Sequence, residues 1–437
     1  MKYISQIHAD HTDQPDAKEF PELTVPAPAE FSVSLLTGGS DRPYVYGLTN
    51  TLSLIGVTVD LIGSDELDEP DLRNKPGVRF LNLRGDQRPN AGLIAKIYRI
   101  LAYYSRLILY AATAKPRIFH ILWNNKFEIF DRTLLTLYYR LLGKAVVLTA
   151  HNVNKLKRDS ADTALNRLTL RIQYRLADHI FVHTPKMKSE LIEEFGVPPG
   201  RVTVIPFGIN NSVPSTNLST KEARKRLGIH ENHKTILFFG RIKPYKGLEF
   251  LIPAFQKVVR GHSDYRLIIA GQLEMLPSDS YWVSIQKEIQ QYVETGQIIP
   301  RIEFIPDSEI EVYFKAADVL VLPYKEIFQS GVIFLGYNFG LPVLAADVGS
   351  LNEDIVEGAT GFVFRPEDPI DLARAMGRYF ASDLFADLEK HRREIREFAM
   401  KRHSWELVGE ATTGIYAGLL RGRAGKSQGA SSLSLSD

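Results

Sequence analysis

Two cations stand where the chain passes from an apolar run into a helical pattern. Residues 235–239 (TILFF) have the composition of a buried strand, and Gly240, Arg241, Lys246 and Gly247 follow them. In open α/β folds, ligands bind at the carboxyl ends of the strands. A guanidinium offers a fork of donors and an ammonium a point charge, so the pair suits a diphosphate. The alternative is a turn that carries two solvated cations.

A second turn in the same half of the chain has features of an anion site. Residues 318–323 (DVLVLP) predict a strand, and after a polar loop Ser330 and Gly331 begin an apolar helical pattern. A glycine at this point lets a phosphate approach the N–H groups, where the helix dipole also favours an anion. An ordinary N-cap serine is the alternative. Phosphate chemistry at two turns of one predicted domain indicates a diphosphate site more strongly than either turn alone.

His151 is the candidate site residue in the first half of the chain. It directly follows the apolar run 145–150 (AVVLTA), which predicts a strand. A polar residue immediately after a strand lies at the carboxyl edge of the sheet, which favours a role in a site. The chain has eleven histidines, and we expect most of the others to be structural.

Composition limits the classes of protein to which the chain can belong. Its 437 residues exceed one hydrophobic core, so we expect two domains. A net charge of +2 gives no electrostatic footprint for nucleic acid. The absence of cysteine excludes disulfides, thiolate chemistry and cysteine metal sites. The N-terminus lacks the layout of a signal peptide and no long apolar run is free of charges, which predicts a cytoplasmic protein.

Strand and helix patterns alternate along most of the chain, as in parallel sheets covered on both faces. We predict a leader at 1–29, one α/β domain at 30–208, a second at 209–400, a crossover helix at 401–421 and a disordered tail at 422–437. The predicted strands are 31–36, 57–62, 78–83, 118–122, 145–150, 179–182, 235–239, 265–270, 302–305, 319–322 and 343–346.

Five motifs together resemble one family over about residues 31 to 420. They are FFGRIKPYKGLEFLIPAF, LIIAGQ, AADVLVLPY, FGLPVLAADVGSLNEDIVEGATGFVF and HSWE. The chain resembles the glycosyltransferases of family 4 (group 1), the sugar-nucleotide users of bacterial glycan and glycolipid assembly. The resemblance implies the GT-B fold: two Rossmann-like parallel-sheet domains that face each other across a cleft, with a C-terminal helix that crosses back to the first domain.

The same resemblance implies roles for particular residues. It implies that Arg241 and Lys246 hold the diphosphate of a UDP- or GDP-sugar donor and that the turn at Ser330 and Gly331 supplies backbone N–H groups to it. His151 would face the donor sugar across the cleft. The glycine-rich turn at Gly38 and Gly39 would lie against the phosphates or the acceptor.

The chain departs from the family pattern at one place. The family usually has two glutamates, one for the sugar hydroxyls and one for the ribose, and the aligned positions here are Ile327 and Leu335. Glu326 is adjacent to the first position, but Phe334 stands eight residues after it. Either Glu326 reaches the sugar through a shifted loop, or Gln329 and backbone groups take over this role.

The activity that follows is a hexosyltransferase of polysaccharide biosynthesis, which moves a sugar from the nucleotide donor to a glycan or lipid-linked acceptor. Fixed positive charge at the departing diphosphate predicts that no metal or other cofactor is needed. We expect retention of configuration without a stable covalent intermediate. Two alternatives remain: a sugar-nucleotide epimerase of the same fold, and a degenerate sugar-nucleotide-binding protein that has lost activity.

The segment 92–117 predicts a two-faced helix. An apolar face and a basic, aromatic face fit a helix that lies on anionic lipid, which would place the protein peripherally on the inner face of the membrane. The alternative is a helix packed on the sheet. We assign Ile97, Ile100, Leu101, Tyr104, Ile108 and Ala111 to the apolar face, and Lys96, Arg99, Tyr103, Arg106 and Tyr110 to the other.

Overall fold

The computed structural model describes residues 31–38, 41–87, 92–158, 161–209 and 213–432, which form two parallel sheets. The predicted leader and Gly39 lie outside the described residues. The first sheet comprises β1 Ser32–Leu36, β2 Thr58–Gly63, β3 Val78–Asn82, β4 Ile118–Ile121, β5 Ala145–Thr149, β6 His179–Val182 and β7 Val202–Val204. The second comprises β8 Lys234–Phe239, β9 Tyr265–Ala270, β10 Ile298–Arg301, β11 Val319–Leu322, β12 Val343–Ala346 and β13 Gly361–Phe364.

Helices connect successive strands and cover the sheets. Those of the first half are α1 Arg42–Leu54, α2 Pro70–Arg73, α3 Leu93–Thr113, α4 Glu128–Phe130, α5 Thr136–Leu141, α6 Lys155–Arg158, α7 Ala164–Leu176 and α8 Pro185–Phe195, with a π-helical turn at Asp131–Leu135. Those of the second half are α9 Thr220–Leu227, α10 Leu248–Val259, α11 Ser280–Glu294, α12 Asp307–Ala316, α13 Gly331–Asn338, α14 Pro369–Phe380, α15 Asp383–Ala386, α16 Leu388–Arg402 and α17 Trp405–Ser432.

Both sheets are doubly wound. The first has the order β3-β2-β1-β4-β5-β6-β7 and the second the order β10-β9-β8-β11-β12-β13, with every pairing parallel. The winding direction reverses between β1 and β4 and again between β8 and β11. Ligand-binding crevices open at such reversals, outside the carboxyl ends of the strands. The prediction of two Rossmann-like parallel-sheet domains is confirmed.

Central strands read as continuous apolar runs because both of their faces are covered. All five residues of β5 (AVVLT) are buried, as are all four of β11 (VLVL) and β12 (VLAA). The first sheet has a separate core on each face, whereas one continuous core surrounds the second sheet. The core therefore fixes the strands, and their carboxyl ends are left to carry polar residues.

The last helix, α17, returns to the first domain and packs against α1. The indole of Trp405, its first residue, occupies the space beside Gly47 of α1 and Gly208 of the connection between the domains. Its Nε1 donates to the carbonyl of Ile209 at 3.0 Å. Gly409, one turn later, lies against Thr51 of α1. The predicted crossover helix is thus confirmed, and glycines provide the close approach.

Replacing Gly47 by alanine is expected to destabilise the protein. A Cβ at this position would lie 2.0 Å from Cε2 of the Trp405 ring. Overpacking of this kind costs about 1–3 kcal/mol, more than the roughly 1 kcal/mol that alanine gains over glycine inside a helix. Thermal unfolding should show a lower Tm. Gly418→Ala in α17 is the matched control, since a Cβ there meets no atom within 4 Å; equal shifts for both variants would contradict the packing argument.

Four elements differ from the sequence prediction. The predicted strand 302–305 is irregular, and the strand lies instead at Ile298–Arg301, paired with β9. It is an edge strand, so the missing N–H of Pro300 is tolerated. Two further edge strands, β7 and β13, were not predicted. The last helix continues to Ser432 rather than ending near 420, and the disorder of the tail 422–437 stays a prediction.

The two faces of α3 agree only in part with the prediction: Tyr104 and Ala111 are buried as expected, but other residues lie on the opposite face. Tyr103, which we assigned to the outer face, is buried, and the hydroxyl of Tyr110 donates to the carboxylate of Asp60 in β2 at 2.7 Å. Ile97, Leu101 and Ile108, which we assigned to the packed face, are exposed. Tyrosines can face the sheet here because polar partners for their hydroxyls are available inside it.

In the described part of the chain, we find no helix with the length and apolar character needed to cross a membrane.

Candidate active site

The carboxyl edges of the two sheets face each other, and several contacts join them. Lys186 at the start of α8 donates to the carbonyl of Gly349 at 2.9 Å, and the hydroxyl groups of Thr184 and Ser350 also lie 2.9 Å apart. The ring of Phe207, in the connection between the domains, stacks on Phe334 of α13 at 5.2 Å. The residues that follow the strands of both sheets therefore line one cleft.

Lys246 and Ser330, which the sequence places far apart, are joined through one tyrosine. Nζ of Lys246 donates to the hydroxyl of Tyr324 at 2.6 Å and lies 4.0 Å from the centre of its ring. The hydroxyl groups of Tyr324 and Ser330 are 3.4 Å apart. Burial raises the pKa of Tyr324, so this phenol stays protonated. The structure thus brings the buried ammonium to the start of α13, as the phosphate-site prediction requires.

Glycine is required where these two turns meet. Gly247, at the end of the turn that follows β8, has φ of 72°, and a Cβ there would lie 1.8 Å from the carbonyl oxygen of Pro323. The N–H of Lys325 also donates to the carbonyl of Tyr245 at 2.9 Å. The close backbone contact holds Lys246 in place relative to the turn after β11.

Ser330 caps α13, and Gly331 is its first residue. The serine hydroxyl accepts a hydrogen bond from the N–H of Val332, and Gly331 is exposed to solvent in the cleft. The first N–H groups of a helix have no partner within it. The ordinary N-cap role and the anion-site role therefore coexist at this turn.

Arg241 follows β8 at the carboxyl edge of the second sheet and is mostly exposed. Its guanidinium forms an ion pair with Glu274, which follows β9 and also binds Lys243 at 2.5 Å. Across the cleft, the positive charge of Arg241 lowers the pKa of Asp41, while removal of that carboxyl from bulk water raises the pKa more. Asp41 begins α1 with a left-handed φ of 29°. Arg241 is thus paired with Glu274 of its own domain, and its charge also acts on Asp41 of the first domain.

His151 lies on the wall of the cleft formed by the first domain. Its ring stacks on Trp123, with centroids 4.2 Å apart and planes at 6°. Nδ1 of His151 is 2.9 Å from Nε2 of His183, which follows β6. The rings of Tyr44 and Phe207 contact His151 edge-on. Aromatic side chains from several elements therefore fix the orientation of this imidazole.

The hydrogen bonds of the two histidines define their tautomers. Burial lowers the pKa of His183 to about 4 and that of His151 well below its usual value, so both rings are neutral. Nδ1 of His183 lies 3.4 Å from the carbonyl of Ile205, to which only an N–H can donate. Nε2 of His183 is then an acceptor, and Nδ1–H of His151 donates to it. Nε2 of His151, which has no partner among the described residues, is left as an acceptor.

Gly38 brings the first glycine-rich turn against the loop that carries Trp123. It has φ of 59°, and a Cβ there would lie 2.5 Å from the carbonyl oxygen of Trp123 and 2.8 Å from that of Asn124. The hydroxyl of Thr37 donates to the carbonyl of Ile62 at 2.9 Å and anchors the turn. Gly38 therefore lies beside the His151 site, on the first domain.

The loop after β11, in which this chain lacks the glutamates usual in the family, places Gln329 against the buried Asp354. Ile327 and Leu335 belong to the apolar core, and Glu326 is exposed. Nε2 of Gln329 donates to Oδ2 of Asp354 at 3.2 Å, and Oε1 of Gln329 is buried without a partner among the described groups. Of the two residues considered as substitutes for the glutamates, Gln329 is the one held by the fold.

Stability should depend on pH through Asp354. Burial, opposed by the hydrogen bond from Gln329 and by Arg402, raises the pKa of Asp354 to about 7. Because the pKa of Asp354 is raised in the folded state, its protonation stabilises the fold. This contribution to the free energy of unfolding is complete below about pH 4 and is lost as pH rises through 7. It amounts to at most about 4 kcal/mol. Asp354→Asn should therefore raise the Tm at pH 8 and change it little at pH 4; parallel Tm curves for the two proteins would contradict this.

Five residues of the site were not identified from the sequence: Asp41, Tyr44, Trp123, His183 and Glu274. Four of them follow a strand or begin a helix at a carboxyl edge, the signal that identified His151. Among the described residues, no group of three or more histidine, aspartate or glutamate side chains could hold a metal ion. The proposed independence from metal stays a prediction.

Comparisons with known proteins identify the family of both halves of the chain. The profile described as Glycosyltransferase Family 4 matches residues 38–213, and that described as Glycosyl transferases group 1 matches residues 233–382. A D-inositol 3-phosphate glycosyltransferase of Corynebacterium diphtheriae is 30% identical over 54% of this chain and 57% of its own length. The chain therefore spans little more than half of that relative.

Solved structures share the fold over nearly the whole chain. Sucrose-phosphate synthase from Thermosynechococcus elongatus has a TM-score of 0.71 at 20% identity, over 90% of this chain and all of its own. HepE from Anabaena, solved in complex with UDP and glucose, has a TM-score of 0.67 at 15% identity, over 88% of this chain and 99% of its own. Together with the two profile matches, these results show that the chain belongs to the group 1, family 4 glycosyltransferases of the GT-B fold.

Proposed function

We propose that the protein transfers a hexose from a UDP- or GDP-sugar to a glycan or lipid-linked saccharide, with retention and without a metal. The observation that carries this proposal is the connection from Lys246 through Tyr324 to Ser330 at the start of α13. It places a buried cation beside the first N–H groups of a helix, which is the arrangement that a diphosphate requires. The complex of HepE with UDP and glucose supports a nucleotide-sugar donor.

The chemistry follows from where charge develops. As the glycosidic bond to the donor phosphate breaks, the sugar acquires oxocarbenium character and the diphosphate gains negative charge. Arg241, Lys246 and the N–H groups at Gly331 would stabilise that charge, which lowers the barrier without a metal. Removing one donor of this kind typically costs about 3 kcal/mol in the transition state.

The donor sugar would lie between His151 and the cationic group formed by Arg241, Lys246 and the N–H groups at Gly331. Nε2 of His151 is a buried acceptor without a hydrogen-bond partner among the described residues, and a sugar hydroxyl would supply the missing donor. Oε1 of Gln329 can do the same from the second domain. These two acceptors would orient the sugar, while the contacts between the domains limit the access of water.

Retention would proceed without a stable covalent intermediate. A double displacement needs a carboxylate beside the anomeric carbon. Asp41 is the carboxylate that the first domain contributes, and its electrostatic partner is Arg241 rather than His151. Analysis of the product anomer by NMR would test this stereochemistry: an inverted product would refute the retaining assignment.

The segment 92–117 would hold the protein at the inner face of a membrane. The exposed side of α3 carries large apolar residues, with Ile94 86% and Leu93 74% exposed, and further exposed residues at Ile97, Tyr98 and Leu101. Apolar side chains on the surface of a basic helix favour an interfacial position. Flotation with anionic vesicles should recover the protein, and Ile94→Glu should reduce the recovered fraction if this face makes the contact.

Donor hydrolysis tests the proposed activity directly. In a panel of UDP- and GDP-sugars without acceptor, one donor should slowly release free sugar and nucleotide. Binding without turnover of any donor would support the degenerate binding protein instead. Conversion of one sugar nucleotide into another, without release, would support the epimerase.

A further inference from the structure

The loop after β4, residues 123–127 (WNNKF), has no regular secondary structure, yet side chains of several elements hold it in place. The side-chain amides of Asn124 and of Gln173 in α7 exchange two hydrogen bonds, at 2.7 and 3.2 Å. The hydroxyl of Tyr103 in α3 donates to Oδ1 of Asn125 at 2.6 Å. The conformation of this loop is therefore set by the helices beneath it.

The carboxylate of Asp131 is the centre of these contacts, and it lies at the start of the π-helical turn. Oδ2 of Asp131 accepts from the backbone N–H of Asn125 at 2.6 Å, and Oδ1 accepts from the amide of Asn125 at 3.3 Å. Oδ1 also accepts from the hydroxyl of Tyr104 at 2.9 Å, and that hydroxyl accepts from the N–H of Phe127 at 3.3 Å. One carboxylate thus holds two residues of the loop, the second through a tyrosine.

The surroundings of Asp131 suit a carboxylate and not a neutral side chain. All three groups that contact its oxygens are donors, and an ionised carboxylate offers acceptors alone. Burial raises the pKa of Asp131, whereas the hydrogen bonds from Tyr104 and Asn125 and the charge of Arg84 lower it. A carboxylate that is only 3% exposed is costly to the fold. Such buried acids and π-helical turns are both frequent at functional sites.

Trp123, the first residue of the loop, connects these contacts to the candidate active site. Its ring stacks on His151, with centroids 4.2 Å apart. The carbonyl oxygens of Trp123 and Asn124 lie against the turn at Gly38, where a Cβ would approach them to 2.5 and 2.8 Å. Asn125 is two residues from Trp123, a span of at most about 7 Å. A shift of Asn125 would therefore move the ring against which His151 is aligned.

We infer that Asp131 is a positioning residue for glycosyl transfer. It holds residues 123–127 so that Trp123 fixes the plane of His151, and His151 is the group that would meet the donor sugar. The role in transfer rests on the proposed function, whereas the ordering of the loop by Asp131 does not.

Kinetics of Asp131→Leu test the role in transfer. Leucine has a similar size but removes all three acceptors, so kcat should fall at least about 30-fold, while KM for the donor stays within about twofold because the diphosphate contacts are intact. Asp131→Asn keeps an oxygen for the N–H of Asn125 and can donate to the hydroxyl of Tyr104, so kcat should return to within about threefold of the wild type. Asp60→Leu is the matched control: Asp60 is also buried and accepts from a tyrosine of α3, Tyr110, at 2.7 Å, but it lies in β2. It should lower the Tm without lowering kcat.

Fluorescence quenching by acrylamide reports the order of the loop without any substrate. The chain has three tryptophans, of which Trp282 and Trp405 are buried and Trp123 is half-buried. Quenching therefore reports mainly on Trp123. Asp131→Leu should raise the quenching constant about twofold, because a loop without these hydrogen bonds opens more often. Asp131→Asn and Asp60→Leu should stay near the wild type.

Asn125→Ala tests the same contacts from the loop, and it decides even if Asp131→Leu does not fold. The half-buried amide of Asn125 donates to Asp131 and accepts from Tyr103, and its removal leaves the core intact. We expect kcat to fall about tenfold at constant KM, with stronger quenching.

Three results would overturn the inference: wild-type kcat in the Asp131→Leu or Asn125→Ala variant, no rescue by Asp131→Asn, or an equal loss of kcat in Asp60→Leu. If the wild type turns over no donor, the transferase proposal fails, and the quenching results alone decide whether Asp131 orders the loop.

Discussion

Arg241→Ala should lower kcat/KM at least about 100-fold while leaving the Tm nearly unchanged. The guanidinium is 74% exposed and its ion pair with Glu274 lies at the surface, where such pairs contribute little to stability. Its charge, however, follows β8 at the same edge of the sheet as Lys246 and the start of α13, where we propose that the diphosphate binds. Removing a donor to a developing anion costs about 3 kcal/mol of transition-state stabilisation. Steady-state kinetics with the preferred donor and a thermal melt give both quantities.

Lys243→Ala provides the matched control for Arg241→Ala. Lys243 is on the same loop and binds the same carboxylate, Glu274, at 2.5 Å. Its removal changes the net charge equally, yet no motif assigns it to the phosphates. We expect its kcat/KM to stay within a few-fold of the wild type. Equal losses of kcat/KM for the two variants would show a general electrostatic effect. A large fall in Tm for Arg241→Ala would show that Arg241 has a structural role.

The residues proposed to bind the diphosphate could be identified because short segments encode them. A strand, two glycines and three cations lie within the thirteen residues 235–247, and the second turn is equally local. The hydrogen-bonded connection between these two turns, through Tyr324, could not be predicted from the sequence. Tyr324 joins Lys246 to Ser330 only because Gly247 lets one loop pack on the carbonyl of Pro323, which is a contact between residues far apart in the chain.

The surroundings of His151 show the limit of sequence reasoning. His151 was predicted from its position after β5, but Trp123 and His183 follow other strands, and the order of the strands decides which of them are neighbours. β4, β5 and β6 are adjacent in the sheet, so their last residues converge. The residues of α3 that were assigned to the wrong face have a similar cause, since Tyr103 and Tyr110 find partners for their hydroxyls inside the domain.

His151→Phe should lower kcat/KM about 100-fold with its ring still stacked on Trp123. Phenylalanine keeps the planar ring but removes Nε2, the acceptor that would orient the donor sugar. A reacting group displaced by about 1 Å can cost a factor of about 100. The variant also leaves Nε2 of His183 without a donor, so we expect a moderate loss of stability, of about 1–3 kcal/mol. Unchanged kinetics together with a lower Tm would show that His151 is purely structural.

His183→Phe tests whether the tautomer of His151 matters for transfer, because we expect His183 to act on the substrate only through His151. Without the acceptor at Nε2 of His183, Nδ1–H of His151 loses its partner, and the proton can move to Nε2 of His151. That tautomer presents a donor where the sugar hydroxyl needs an acceptor, so kcat should fall about tenfold with KM nearly constant. His183→Gln keeps an acceptor oxygen on a flexible side chain and should restore part of the loss. A fall in KM and kcat alike, or no rescue by glutamine, would contradict the tautomer assignment.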